Sequence, residues 1–214
     1  VYKRQPDTVI LTVGSSLQFG SGYTLGINGI TDPAGLAIAD DTEISFTPMN
    51  PGEGVIPLKI SEFLASNSSG PFAGGTPLLD VDGDSSDWIE IHNPLASDVL
   101  MDGWYLTDDV DNPTKWRFPA VTVDSGGYLV VFASGKDLND PAGELHANFK
   151  LSAEGKYLAL VMPDTTTVAF AYAPEFPEQV AGVSFGVADD TGDQRYFDVP
   201  TPGTANLPSG FISI

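Results

Sequence analysis

Apolar and polar residues alternate with period two along most of this chain. The alternation predicts short strands at 9–13, 23–27, 43–47, 58–65, 87–92, 104–107, 128–133, 157–162 and 168–172, all rich in β-branched and aromatic residues. Gly and Pro punctuate the chain every few residues, with 23 and 17 of them, so long helices have no room. Two stretches, Leu58 to Ser66 and Pro174 to Ala181, carry some helical character, but both are short and the second holds Pro174 and Pro177. Many short strands between turn signals predict an all-β fold, a sandwich or barrel.

The pattern breaks once, between Thr47 and Pro57, where PMNPGEGVIP concentrates prolines and glycines. Three strands before the break are too few to close a sandwich, whereas the stretch after it is long enough for a complete domain. The expected division is therefore 1–54, segment and linker; 55–207, main domain; and 208–214, tail. The chain starts at Val1, with Lys3 and Arg4 adjacent, as expected of a piece of a longer protein.

Charge narrows the function. Twenty-nine acidic against 9 basic side chains leave a formal net charge of -20, which repels phosphate and argues against nucleic acid and anionic membrane surfaces as partners. No apolar run approaches the ~20 residues that span a bilayer, so membrane insertion is not expected. Without cysteine there is no disulfide, thiol nucleophile or zinc-thiolate site.

Two resemblances refine the picture. YTLGINGITDPAGLAI followed by ISFTP is similar to the last strands of bacterial Ig-like repeats, with Asp32-Pro33-Ala34-Gly35 forming the turn. This likeness implies that the first part is an incomplete Ig-like domain. From about Leu58 to Asn206 the chain resembles a lamin tail domain. The motifs are ISEFLASN (60–67), DWIEIHNP (87–94), MDGWYLTDD (101–109), KWRFP (115–119), GGYLVVFASGKD (126–137), NFKLSAEGKYLAL (148–160) and PTPGTAN (200–206). That resemblance implies an Ig-like β-sandwich with a structural or interaction role and no catalytic residues. Alternation within the motifs agrees: Ile89 and Ile91 share one strand face while Trp88, Glu90 and His92 share the other. In KWRFP, Trp116 and Phe118 can enter a core while Lys115 and Arg117 face water or carboxylates.

The acid is unevenly spread. Between Lys59 and Lys115 there is no Lys or Arg, yet Asp80, Asp82, Asp84, Asp87 and Glu90 crowd into LDVDGDSSDWIE and Asp108, Asp109 and Asp111 follow. Carboxylates this close repel unless a cation intervenes. Calcium, with its many oxygen ligands, suits Asp at alternating positions, so Asp80, Asp82, Asp84 and Asp87 are the candidate metal ligands and calcium the candidate cofactor. The run resembles the start of an EF-hand loop or a thrombospondin-type repeat. It departs from the EF-hand because Gly83 comes two positions early and Ile91 stands where a bidentate Glu belongs. The alternative is a solvated acidic loop, and Asp108, Asp109 and Asp111 suit ordinary turns.

Catalysis lacks its usual signals. There is no H-E-x-x-H or G-x-x-x-x-G-K-[ST], and His146 reads as an ordinary strand or loop residue. Glu62, Glu90 and Glu144 would need a cleft with carboxyls about 5 to 9 Å apart to hydrolyse glycosides. The sequence thus leads to a non-catalytic spacer or adhesion module of an exported bacterial surface protein, secreted or at the cell surface. Its expected partners are the parent's other domains and cell-wall or extracellular polysaccharide. The competing reading is a carbohydrate-binding module using Trp88, Trp104 or Tyr105 as its platform.

Overall fold

The computed structural model describes residues 2–5, 8–11, 23–27, 42–46, 57–70, 74–189, 191–206 and 210–211. Among these residues there is no helix, and hence none long and apolar enough to cross a membrane. The chain divides into two compact units, Val1–Gly54 and Val55–Ile214.

The first unit contains two antiparallel hairpins: β1 (Tyr2–Gln5) with β2 (Thr8–Leu11), and β3 (Tyr23–Ile27) with β4 (Thr42–Phe46). The turn expected at 32–35 and the break expected at 48–56 lie outside the described residues.

The second unit has a six-stranded sheet in the order β12-β11-β6-β5-β15-β16 and a four-stranded sheet in the order β14-β13-β8-β9. The large sheet is formed by β5 (Lys59–Leu64), β6 (Trp88–His92), β11 (Tyr128–Phe132), β12 (Leu145–His146), β15 (Ser184–Val187) and β16 (Gln194–Phe197). The small one is formed by β8 (Tyr105–Thr107), β9 (Trp116–Arg117), β13 (Leu158–Val161) and β14 (Val168–Tyr172). Two further short strands, β7 (Val99–Leu100) and β10 (Thr122–Val123), pair as a ribbon. All pairings are antiparallel except β11 with β12, which are parallel.

The sheets pack through aromatic side chains. Phe63 of β5 meets Tyr172 at 5.1 Å, Phe176 at 4.7 Å and Phe185 at 5.9 Å between ring centroids, and the Tyr172 hydroxyl donates to the Ile60 carbonyl at 3.0 Å. A polar tip that finds its partner lets a tyrosine be buried at little cost. Trp116 and Phe118 are buried, while Arg117 pairs with Asp102 at 2.8 Å, as the alternation in KWRFP predicts.

One irregularity decides which side chains face the core. Ile60 lies opposite Ile91 and Phe63 opposite Ile89, but between them the register shifts, so that Ser61 is an extra residue and Glu62 lies opposite Glu90. Uninterrupted alternation would put Ile60 and Phe63 on opposite faces. The bulge returns both to the core side and turns Glu62 outward beside Glu90.

The outer face of the large sheet is also covered. Leu64, Trp88 and Phe132 form a second apolar cluster there with Leu78 and Val130, and residues 200–206 cross over Glu62 and Glu90. Phe211 pairs with Tyr196 through two backbone hydrogen bonds of 2.8 and 3.0 Å, tying the expected tail to the sheet edge. β15 and β16 escape the hydropathy pattern because Gly186 interrupts the first and exposed Gln194 and half-buried Arg195 open the second.

Candidate functional site

Asp80 organises the acidic loop. Its carboxyl oxygen Oδ1 accepts the backbone N–H groups of Asp82 and Asp84 at 3.1 and 2.9 Å, and Oδ2 accepts the Ser86 hydroxyl at 3.3 Å. Gly83, at φ +84°, takes the left-handed conformation that this tight turn requires. These bonds converge Asp80, Asp82 and Asp84, whose ligand atoms lie within 4.8 Å of one another. Into their midst reaches Lys136, with Nζ at 2.7 Å from Asp80 Oδ2, 2.7 Å from Asp82 Oδ2 and 3.0 Å from Asp84 Oδ2. Burial pushes the Asp80 carboxyl up, but Lys136 and the two backbone N–H groups outweigh it and hold it below the usual carboxylate range. The same three carboxylates push the Lys136 ammonium up.

Asp87 is set apart from this group. It precedes β6, and its carboxyl accepts the Asn67 backbone N–H at 3.4 Å. Burial raises it to about 6. The acidic loop is fastened a second time where Glu144 Oε2 accepts the Val81 N–H at 2.7 Å. Beside it, His146 is fully buried, with Nδ1 at 2.9 Å from the Ser134 hydroxyl and Nε2 at 3.7 Å from Glu144. Ser134 and His146 sit as a nucleophile and base might, but an imidazole sealed from solvent has no route to a substrate.

The second acidic group is neutralised in the same way. Asp108 is buried between Lys115 and Lys156, each with Nζ 2.6 Å from one of its oxygens. Burial raises this carboxyl and the two lysines more than reverse that. Asp109 instead closes a turn by accepting the Asp111 N–H at 3.0 Å.

Glu62 and Glu90 form a third cluster, which sequence reasoning weighed only as hydrolytic carboxylates and not as a buried pair. Both are fully buried, cross-strand neighbours on the outer face. Glu62 accepts from the Ser184 hydroxyl, from the Thr201 N–H at 3.2 and 3.1 Å and from the Thr201 hydroxyl at 3.1 Å. Glu90 accepts the Ser61 hydroxyl and the Gly203 N–H, both at 2.6 Å. The partners are neutral, so burial dominates: Glu62 is raised to about 7 and Glu90 to about 8, the latter also by Glu62 itself. The sequence signal was the pair of glutamates inside the apolar runs ISEFL and WIEIH.

Trp88 and Trp104 are buried and Tyr105 is partly exposed, so neither indole offers a stacking platform to a sugar.

Two packed, mainly antiparallel sheets with a shared buried core define an Ig-like β-sandwich. The chain belongs to the lamin tail domain family, whose family model matches residues 55–174, more than half of its length. The family is one of non-catalytic Ig-like modules with structural or interaction roles. No curated protein matches the chain. The matched span ends before β15, β16 and residues 200–206, which complete the large sheet and its cover.

Proposed function

We propose that the protein is a spacer or adhesion module of a larger exported bacterial surface protein, flanked by that parent's other domains. The observation that carries this reading is how the reactive side chains are used. Asp80, Asp108, Glu62, Glu90 and His146 are all buried and all engaged within the domain. Groups spent on internal bonds rigidify a fold rather than turn over a substrate. A rigid sandwich beside a Pro/Gly-rich junction suits an extended stalk, and strong net acidity keeps such a stalk soluble.

The first unit, with its two hairpins, is read as the end of an Ig-like repeat preceding the sandwich. Buried Trp88 and Trp104 make adhesion through protein surface or neighbouring domains a better reading than sugar stacking. Calcium enters as a competitor of Lys136 for the three carboxylates of the acidic loop.

The test has two arms. The complete gene is expected to encode an export signal and further repeated domains, and a gene for a cytosolic protein without them would overturn the export reading. The purified chain is expected to leave cell-wall polysaccharides uncleaved, and turnover abolished by substituting Glu62 or Glu90 would sink the non-catalytic reading.

A further inference from the structure

The segment 200–206 lies over the sheet as a strap, and its grip is built mainly on carboxyl groups. Thr201 donates its N–H and hydroxyl to Glu62, Gly203 its N–H to Glu90, and Asn206 its N–H to Asp189 at 2.9 Å. The Asn206 side chain completes the hold by donating to the carbonyls of Ser61 at 2.9 Å and Val187 at 2.8 Å. It has room because residue 186 is glycine: a Cβ there would stand 2.2 Å from the Ser61 oxygen and 3.2 Å from Asn206 Nδ2.

Two carboxylates side by side in a dry site cannot both ionise cheaply. The charged and titratable groups around them do little to help. Lys59 is committed to Asp189 at 3.0 Å, and Arg195, two strands away in the same row, holds Thr191 and Asp193. His92 is stacked on Tyr128 at 4.4 Å, and the Tyr172 hydroxyl is bonded to Ile60. Asp189 adds a third acid.

A protonated carboxyl is easily accommodated. The Ser184 hydroxyl has a second acceptor in the Phe197 carbonyl at 3.5 Å, and Ser61 has one in the Glu90 carbonyl at 3.3 Å. Either hydroxyl can turn to that acceptor and receive the carboxyl proton instead of donating, so no hydrogen bond is lost.

We propose that Glu62 and Glu90 form a proton-dependent latch for residues 200–206, closed most firmly while the pair retains its protons and loosening as they leave. In the open segment the two carboxyls are solvated and ionise like ordinary glutamates, so opening releases protons. Pro200 and Pro202 border a cleft that reaches Leu64 and Trp88, and an open strap exposes that apolar surface.

Amide hydrogen exchange of residues 201–206 in the full chain, corrected for the intrinsic rate, reads the latch directly. From pH 5 to 8 the opening constant is expected to rise by up to about tenfold per pH unit for each proton released, with Leu160 on β13 unchanged. In the Glu62→Gln, Glu90→Gln double variant, opening is expected to lose this pH dependence. Opening of the native segment that is independent of pH would overturn the latch. Should the variant not fold, the carboxyl carbon resonances of the native protein decide: titration of Glu62 or Glu90 above pH 6 supports the latch, and both titrating below pH 5 overturns it.

Discussion

Asp80 in the acidic loop and Glu62 on β5 are both buried carboxyl groups, yet near pH 6 they carry opposite protonation states. Around Asp80 the structure supplies an ammonium and two backbone N–H groups, so the charge is kept and the proton excluded. Around Glu62 it supplies neutral donors and a second glutamate, so burial wins and the proton is kept. Burial alone therefore does not set the state of an acid. What decides is whether a cation stands against the buried carboxyl, as Lys136 does for Asp80, or neutral donors do, as for Glu62.

The comparison breaks most visibly at Gly186, which both admits the Asn206 side chain and lies against the bulge at Ser61. Gly186→Val is expected to cost about 3 kcal/mol or more, by overpacking against backbone that cannot yield. A urea midpoint equal to that of the native protein would show that the strap is not seated as described.

Next in size is the pH profile. Glu62 and Glu90 are raised from 4.5 to about 7 and about 8, so their contribution is fully present below the unfolded value and is lost as pH rises through 7 to 8. Asp80 and Asp108 are lowered from 3.8, so their contribution is lost as pH falls below that range. Thermal melts from pH 3 to 9 are expected to peak near pH 5. A maximum at pH 8 would mean that the glutamate pair is not held protonated.

Lys136 sharpens the other side of the comparison. Lys136→Met leaves three carboxylates without their cation, so the melting temperature is expected to fall and millimolar calcium to restore part of it. The native protein is expected to respond less, because calcium must first displace the ammonium. If neither protein responds to calcium in calorimetric titration, the acidic loop has no role as a metal site.

Smaller effects follow from single bonds. Tyr172→Phe removes the hydroxyl that bridges the sheets and is expected to cost about 1 kcal/mol in chemical denaturation. Arg117→Ala removes an ion pair whose side chains are 57% and 48% exposed and is expected to change stability by no more than ~0.5 kcal/mol.

Much of the fold was legible because half-buried strands write a period of two. Ile89 and Ile91, Trp116 and Phe118, and the apolar run from Tyr128 all occupy buried or sheltered positions for that reason. The short strands β7, β10 and β12 and the glycine-interrupted β15 were illegible as strands, since two residues or a missing side chain leave no period to read. The bulge at Ser61 was equally invisible. It depends on which neighbours β5 pairs with, and it alone turns Glu62 toward Glu90.

The acidic groups show where each kind of information stops. The order of residues establishes an all-β chain, a lamin tail domain and a stretch from Ile60 to Thr114 holding many acids and neither Lys nor Arg. It also dictates the local turn at Asp80, because an Asp carboxyl reaches N–H groups two and four positions ahead. The fate of the charge was settled by packing alone. Lys136 comes from 56 positions away to Asp80, Lys156 from 48 to Asp108, and Gly203 from 113 to Glu90. Electrostatic and hydrogen-bond energies depend on distance in space, and the packing of loops and strands far apart in the chain sets those distances without leaving a local trace in it.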